Sequence, residues 1–361
     1  MPEAAAQGSG QPAPLAAFGP GRVNLIGEHT DYNGGLALPF AIAQGVVVRA
    51  AASDDLVVRA HATDLGEQFA FAVSQREREH GWRAFVLGMV AELHALGVEV
   101  EGAFLEIGGD LPRGAGLSSS AALEVALCLA LLELAGIDPE RLGHVQLARV
   151  CARVENEWAG AQTGLLDQLA SLCGEQDRAL LIDFAALARE QPAIEQVPMQ
   201  LDGWRLLVLD SGERHEHAGG GYNERRAECA QACRELGVAT LSEADEAQLG
   251  RLPGALARRA RHVLGENRRV TGAVEALREH DMPALGALLD ESHASLRDDY
   301  EISTPAVEAA VARLRDAGAA GARLIGGGFG GSVLGLFAED AQPPPEAREV
   351  RPSRGAHLLG G

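Results

Sequence analysis

A glycine-rich loop that runs into three consecutive serines is the feature that most constrains this sequence. Residues 114–122 read GAGLSSSAA, and they lie between a strand that ends near Ile107 and an apolar, helix-periodic stretch at residues 119–134. Glycine lets backbone approach a ligand closely, and a helix N-terminus offers unpaired N–H groups and positive dipole charge. The segment therefore predicts a cradle for an anion such as phosphate. A glycine turn with a single serine cap is the simpler alternative.

The 361-residue chain contains no lysine, so all 31 of its basic residues are arginine. This absence excludes a P-loop NTPase, a protein kinase and a Schiff-base enzyme, because each of them needs an amine side chain. The formal net charge of −20 makes nucleic acid and anionic membranes poor partners. Phosphate would have to be bound by arginine, backbone amides, hydroxyls and metal.

The cysteines and the first residues favour a protein of the cytoplasm. The five cysteines form no CxxC pair and are predicted to be reduced thiols. Residues 1–14 lack the basic and apolar regions of a signal peptide and are predicted to be a disordered tail. The longest apolar run, residues 121–132, contains Glu124 and is too short to span a bilayer, so it predicts a buried helix.

Chain length and pattern predict two domains of the α/β or α+β class, and the family resemblance described below implies α+β. A change of composition near residues 191–202 divides the chain into an N-terminal domain, 15–200, and a C-terminal domain, 201–361. Asp54-Asp55 between two β-rich stretches predicts a hairpin. The predicted strands are 46–51, 56–60, 69–73, 103–107, 179–183, 205–209, 322–325 and 333–337. The predicted helices are 82–96, 119–134, 144–158, 222–236, 256–264, 268–280, 283–292 and 305–317.

A second segment, residues 19–35, places many different polar groups between glycines. Within it Glu28, His29 and Asp31 can bind vicinal hydroxyls, because carboxylates accept O–H bonds and imidazole can donate or accept. Such a cluster suits a sugar. A solvated loop with an Asx turn at Asn33-Gly34 is the alternative.

A third glycine cluster, residues 326–331, joins two apolar, strand-like stretches. It fits a loop that closes over a ligand at a domain interface, although a glycine-rich hairpin is equally compatible with it. Asp167 follows apolar residues and is expected to be partly buried, which more often indicates a satisfied structural carboxylate than a catalytic one. By itself Glu155 reads as part of a solvated helix face.

Taken in chain order, the three segments resemble the signature motifs of the GHMP small-molecule kinase superfamily. GRVNLIGEHTDYNGG at residues 21–35 is most similar to the galactokinase family, and LPRGAGLSSSAALEVA at 111–126 resembles the ATP motif. GARLIGGGFGGSVLGLF at 321–337 resembles the third motif, with Ile325 where threonine is usual. TGLLDQLAS at 163–171, GYNERRAEC at 221–229 and ESHASLRDDYEIS at 291–303 also resemble that family.

The resemblance implies an N-terminal domain like ribosomal protein S5 domain 2 and a ferredoxin-like C-terminal domain, with the active site between them. It further implies transfer of the γ-phosphoryl of ATP to the C1 hydroxyl of α-D-galactose, with Mg²⁺. Asp167 then matches the catalytic carboxylate, and Arg22 the residue that stabilises the transition state. The implied galactose-binding residues are Glu28, His29, Thr30, Asp31, Gly164 and Tyr222.

The nucleotide and metal residues follow from the same resemblance. The implied phosphate loop consists of Gly114, Ala115, Gly116, Leu117, Ser118, Ser119 and Ser120. Ser120 and Glu155 match the magnesium ligands, and Trp82 resembles an aromatic residue near adenine. A monomer or weak oligomer is expected, with no nucleic-acid or membrane partner.

The chain departs from the family pattern after Phe337. About twenty-four residues remain where a further helix and strand are usual. Two other functions stay open: a kinase for another sugar, such as N-acetylgalactosamine or arabinose, and a non-catalytic sensor of galactose and ATP. The complete serine motif, Arg22 and Asp167 favour an enzyme over a sensor.

Overall fold

The computed structural model describes residues 15–111, 116–213 and 218–360. The predicted disordered tail, residues 1–14, lies outside the described residues. In chain order the strands are β1 Leu15–Asn24, β2 Leu36–Ala37, β3 Pro39–Ala52, β4 Val57–Ala62, β5 Glu67–Ala72, β6 Ala103–Gly109, β7 Arg178–Asp183, β8 Ile194–Pro198, β9 Trp204–Asp210, β10 Gly321–Ile325, β11 Ser332–Ala338, β12 Arg348–Val350 and β13 His357–Leu359.

The helices are distributed over both halves of the chain. They are α1 Trp82–Ala95, α2 Ser119–Leu134, α3 His144–Arg153, α4 Leu166–Cys173, α5 Phe184–Ala188, α6 Ala218–Leu236, α7 Gly254–Glu279, α8 Met282–Asp298 and α9 Pro305–Asp316. Short 3₁₀ turns stand at Asp31–Asn33, Pro139–Arg141, Leu241–Glu243 and Glu246–Arg251. The predicted helix at 119–134 is confirmed at both ends.

The first half is built on a six-stranded sheet with the order β13-β1-β3-β6-β4-β5. β6 pairs antiparallel with β3 and parallel with β4, so it lies between them. The hairpin predicted at Asp54-Asp55 is therefore wrong. A short connection permits a hairpin but does not require one, and here Ser53 N–H donates to the carbonyl of Gly102 instead of closing β3 onto β4.

Helices α1 to α4 cover one face of this sheet and form its apolar core. Helix α2 crosses β1 at Gly19, where an added Cβ would lie 2.1 Å from the carbonyl oxygen of Ala122. No side chain fits in that space, so the crossing requires glycine. The crossing brings the serine-rich start of α2 beside the first strand.

The predicted helix at 144–158 is helical throughout but changes its winding. α3 ends at Arg153, and residues Val154–Ala159 continue as a π-helical turn. Such turns occur mostly as local insertions in helices, often at functional sites. This turn carries Glu155 at its start.

The second half contains a four-stranded sheet, β10-β11-β9-β12, and a three-stranded sheet, β2-β7-β8, links the halves. The sequence pattern predicts two helices at 256–264 and 268–280, but α7 is one continuous helix. Glu266 and Asn267 interrupt the apolar pattern because they are used for contacts: their side chains accept hydrogen bonds from the backbone N–H groups of Gly27 and Leu36.

The last residues cover two sheet edges. β12 pairs with β9, and β13 pairs antiparallel with β1 of the six-stranded sheet. The residues after Phe337 thus supply one edge strand to each of these two sheets. No helix in the described part is long and apolar enough to cross a membrane. The predicted domain boundary at residue 200 stays a prediction.

Candidate functional site

A cavity of about 400 Å³ opens where the three glycine-rich segments meet. The 28–31 turn, the loop before α4 and the glycine cluster between β10 and β11 form its walls. The predicted site residues that line it are Arg22, Glu28, His29, Asp31, Gly116, Gly164, Asp167 and Tyr222. Residues far apart in the chain therefore converge on one space.

An arginine–carboxylate pair forms the floor of this cavity. Arg22 Nε lies 2.8 Å from Asp167 Oδ1, and Nη2 lies 2.9 Å from Oδ2. The side chain of Arg22 is 7% exposed, whereas that of Asp167, which lines the cavity, is 25% exposed. A fork-to-carboxylate contact fixes both groups in orientation as well as distance. The pair leaves part of the Asp167 side chain open to the cavity.

Local backbone features aim the two partners at each other. Arg22 follows an irregularity in the pairing of β1 with β3 between Pro20 and Arg22, and Asp167 lies in the first turn of α4. Arg22 N–H donates to the carbonyl of Leu117, and its Nη1 donates to that of Gly116. The arginine thereby connects the strand, the serine loop and α4.

The described part of the serine loop contacts two carboxylates, those of Asp167 and Glu155. Ser118 has a left-handed backbone with φ 56°, and its hydroxyl donates to Asp167 Oδ2. Ser119 begins α2, and the hydroxyl of Ser120 donates to Glu155 Oε1 at 2.8 Å. Gly114 and Ala115, two predicted phosphate-loop residues, lie outside the described residues. Leu117 is buried beneath the loop.

Glu155 is a buried carboxylate surrounded by neutral hydrogen-bond donors. Besides Ser120, it accepts from Thr163 Oγ1 at 2.8 Å and from Gln168 Nε2 at 2.9 Å. Burial raises its pKa, and the negative charge of Asp167 adds to this effect. These donors only partly offset the desolvation of the carboxylate. The site is thus suited to a cation.

Glu28 reaches the cavity from the turn after β1, and the second half of the chain holds it. Its Oε1 accepts from Gly326 N–H at 2.8 Å and lies 3.4 Å from Nη2 of Arg323, which is fully buried. Burial raises the pKa of Glu28, whereas the charge of Arg323 acts in the opposite direction. Arg323 also donates to the carbonyls of Asn24 and Leu25.

Asp31 and Gly164 fit closely against each other on the opposite wall. A Cβ added at Gly164 would lie 1.9 Å from Asp31 Oδ2. Burial raises the pKa of Asp31 to about 6, and the charge of Asp167 contributes. Burial lowers the pKa of His29 to about 3, so its imidazole is neutral.

Thr30 does not line the cavity, unlike the other predicted sugar residues. It is fully buried, and its hydroxyl lies 2.8 Å from the carbonyl of Gly27 and 2.7 Å from that of Leu36. It closes the turn that presents its neighbours. Trp82 also lies away from the cavity lining; its indole N–H donates to Glu67, and its ring packs edge-on against Phe69.

Three family models match this chain. The galactokinase galactose-binding signature matches residues 6–52, the GHMP kinase N-terminal domain matches 84–175, and the GHMP kinase C-terminal domain matches 273–356. The galactokinase of Streptomyces coelicolor is 39% identical over 94% of this chain and 93% of its own length. The chain belongs to the galactokinase family.

Other comparisons agree with this family. The galactokinase of Thermotoga maritima is 39% identical, with 89% of each chain covered. The crystal structure of Lactococcus lactis galactokinase complexed with galactose superposes with a TM-score of 0.87 at 30% identity, covering 96% of this chain and 95% of that one. The mevalonate kinase of Methanococcus jannaschii, at 17% identity and a TM-score of 0.67, shares the fold.

The family confirms the α+β, two-domain GHMP kinase fold and the kinase class predicted from the sequence. The sequence reasoning did not identify three buried residues that belong to the site. Arg323, Gln168 and Glu124 are buried polar residues in or next to the galactokinase motifs. Glu124 carried a usable signal, because a carboxylate interrupts an otherwise apolar helix there; burial raises its pKa well above the ordinary value.

Proposed function

We propose that this chain transfers the γ-phosphoryl of ATP to the C1 hydroxyl of α-D-galactose, giving galactose 1-phosphate and ADP. This reaction is the first committed step of galactose catabolism, the Leloir pathway. Membership of the galactokinase family supports the assignment. The observation that carries it is the Arg22–Asp167 pair at the floor of a cavity lined by the galactose-binding segment.

Asp167 is proposed as the catalytic carboxylate. Its Oδ atoms accept from Arg22 and Ser118, and the exposed part of the side chain faces the cavity. There it would orient the C1 hydroxyl and accept its proton as the oxygen attacks phosphorus. Phosphoryl transfer depends mainly on positioning and charge stabilisation, so one fixed carboxylate is sufficient.

Arg22 is proposed to stabilise the transition state. Arginine is a cation in proteins, and its flat fork matches phosphate oxygens. Arg22 already touches the serine loop through the carbonyl of Gly116. Charge that develops on the transferred phosphoryl group would therefore meet a cation that is already in place.

Glu28, His29, Asp31, Gly164 and Tyr222 are proposed to bind galactose. They combine carboxylate acceptors, a neutral imidazole and a tyrosine around one cavity, as recognition of several vicinal hydroxyls requires. Thr30 would act through the turn that it closes. Gly164 would leave room for the carboxylate of Asp31.

Residues 114–120 are proposed to hold the phosphates of ATP. This segment includes Gly114 and Ala115, outside the described residues, and Ser119 at the start of α2, where helix N–H groups favour anions. Gly116 has a left-handed backbone, φ 73°, in which glycine is unstrained.

Mg²⁺ fits the residues present, and Ser120 and Glu155 would hold it. Glu155 is a buried carboxylate in contact with neutral donors, and Mg²⁺ prefers oxygen ligands. The described residues contain no cluster of three or more metal-binding side chains, which suits an ion that takes its remaining ligands from phosphates and water. The bound ion supplies charge neutralisation at the phosphates.

A coupled ADP-release assay with galactose, N-acetylgalactosamine and arabinose tests the assignment, and ³¹P NMR identifies the product as the 1-phosphate. Asp167→Ala should still bind galactose while kcat falls by about 10²–10⁴-fold. Asp54→Ala is the matched control, because Asp54 is exposed and does not line the cavity. If the wild type does not turn over galactose, the proposed activity is refuted. If Asp167→Ala keeps a near-normal kcat, Asp167 is not the catalytic carboxylate.

The remaining proposals concern the oligomeric state, the cellular location and the binding partners of the protein. A monomer or weak oligomer is tested by light scattering of the purified protein. Cytoplasmic location is tested by fractionation of the native host. Binding to nucleic acid or to anionic vesicles would contradict the expectation drawn from the net charge of −20.

A further inference from the structure

A chain of hydrogen bonds leads from the cavity wall into the core of the second half. His29 Nδ1 lies 2.8 Å from the hydroxyl of Tyr32, which lies 2.9 Å from the hydroxyl of Tyr300. The Tyr300 hydroxyl in turn lies 3.1 Å from Sγ of Cys229. His29, Tyr300 and Cys229 are each at most 3% exposed. Of these four residues, His29 is the one that lines the cavity.

Ring packing holds the imidazole of His29 in one orientation. Its centroid lies 4.7 Å from that of Tyr300 and 5.2 Å from that of Tyr222, and the Tyr32 ring meets it nearly edge-on at 85°. A flip of the ring would place the carbon Cδ2 where Nδ1 stands and break the bond to Tyr32. Nδ1 therefore faces Tyr32, and Nε2 is left as the unpaired nitrogen of a residue that lines the cavity.

The ring is neutral, so one nitrogen carries hydrogen and the other a lone pair. Nε2 is buried and makes no hydrogen bond within the described residues. The backbone of Gly327 nevertheless favours a protonated ring. A carbonyl oxygen has this effect, because it attracts an N–H and repels a lone pair. This effect agrees with a hydrogen on Nε2, and the assignment itself rests on the geometry of the hydroxyl chain.

Each hydrogen bond in the series His29–Tyr32–Tyr300–Cys229 is consistent with a hydrogen on Nε2 of His29. If Nδ1 holds the lone pair, Tyr32 O–H donates to it, Tyr300 O–H donates to Tyr32, and the thiol of Cys229 donates to Tyr300. Burial raises the pKa of Cys229 to about 11, so the sulfur carries the hydrogen that this direction needs. The opposite direction would end on a thiol sulfur, which is a weak acceptor.

His262 gives an internal reference for this reasoning. Its Nε2 lies 3.1 Å from the carbonyl oxygen of Glu28, and its Nδ1 lies 2.9 Å from Ser295 Oγ. A carbonyl only accepts, so Nε2 of His262 carries hydrogen. Burial lowers the pKa of this ring to about 4, and it is neutral like its neighbour.

We propose that Tyr32 is a positioning residue that holds His29 in the Nε2–H tautomer, so that the ring presents an N–H donor to the sugar. Tyr300 acts one step further back by directing the Tyr32 hydroxyl towards Nδ1. The sugar oxygen opposite His29 must then accept a hydrogen bond. Only this last consequence rests on the proposed function, since the tautomer belongs to the protein without substrate.

The first experiment needs no variant and no activity. Long-range ¹H–¹⁵N correlation of the ligand-free protein with labelled histidine shows which ring nitrogen carries hydrogen, with His262 as the reference for Nε2–H. We expect the same pattern for His29. An Nδ1–H tautomer or a charged ring at pH 7 overturns the proposal, whatever the enzyme phosphorylates.

Two variants test the direction in which the hydrogen bonds from Cys229 to His29 are donated. Tyr32→Phe removes the donor to Nδ1, so we expect mixed tautomers for His29 and an about tenfold higher galactose KM, with kcat much less changed. Cys229→Ala should leave the tautomer as in the wild type, because Tyr32 and Tyr300 can still donate in the same direction. A tautomer that changes in Cys229→Ala, or that is unchanged in Tyr32→Phe, contradicts the assignment.

Discussion

The carboxylate of Asp31 destabilises the ligand-free protein at neutral pH, and replacing it by asparagine should reveal the amount. Burial raises its pKa from an ordinary 3.8 to about 6. One pKa unit corresponds to about 1.4 kcal/mol, so the ionised group costs the fold about 3 kcal/mol at pH 7. Asp31→Asn keeps the shape and the acceptor oxygen but cannot ionise.

The pH dependence has a definite sign. The folded protein binds the Asp31 proton more tightly than the unfolded chain does, so the protonated form stabilises the fold below pH 3.8. That stabilisation is lost as pH rises from 3.8 to about 6. The expected advantage of Asp31→Asn over wild type is therefore about 1.5 kcal/mol at pH 5 and about 3 kcal/mol at pH 7.

Urea denaturation at pH 5, 6 and 7 measures this difference in the free energy of unfolding. Asp54→Asn is the matched control, because Asp54 is exposed and distant from the cavity; it should change stability little at any pH. A difference between Asp31→Asn and wild type that stays constant from pH 5 to pH 7 refutes the reasoning. The same variant should bind galactose more weakly.

Three further outcomes follow from the site. Arg323→Met leaves the buried Glu28 carboxylate without its cation and should lower the free energy of unfolding by about 3–5 kcal/mol in urea; an unchanged midpoint contradicts it. Gly164→Ala should displace the Asp31 carboxylate and raise galactose KM by about tenfold to a hundredfold, at near-native stability. Glu155→Gln should raise the Mg²⁺ concentration for half-maximal rate at least about tenfold; an unchanged Mg²⁺ titration removes Glu155 from the metal site.

Local pattern was sufficient for most of the elements. The helix at 119–134 and the strand at 179–183 follow from periodicity and glycine stops, and the structure has them within a residue. The predicted hairpin at Asp54-Asp55 failed because pairing partners are chosen across the sheet: β6, which begins only at Ala103, lies between β3 and β4. The break predicted inside α7 failed because Glu266 is polar for a tertiary reason.

The sequence by itself determined the chemistry that this protein can use. Without lysine, phosphate has to meet arginine, hydroxyls, backbone and metal, and the glycine and serine motifs identify the family. Tertiary structure decided which of those groups meet: Arg22 with Asp167, and Glu28 with Arg323 from the far end of the chain. It also showed that Thr30 supports the turn while its neighbours face the cavity. Burial and partner geometry arise only when distant segments pack, and they set the charge and orientation of each group.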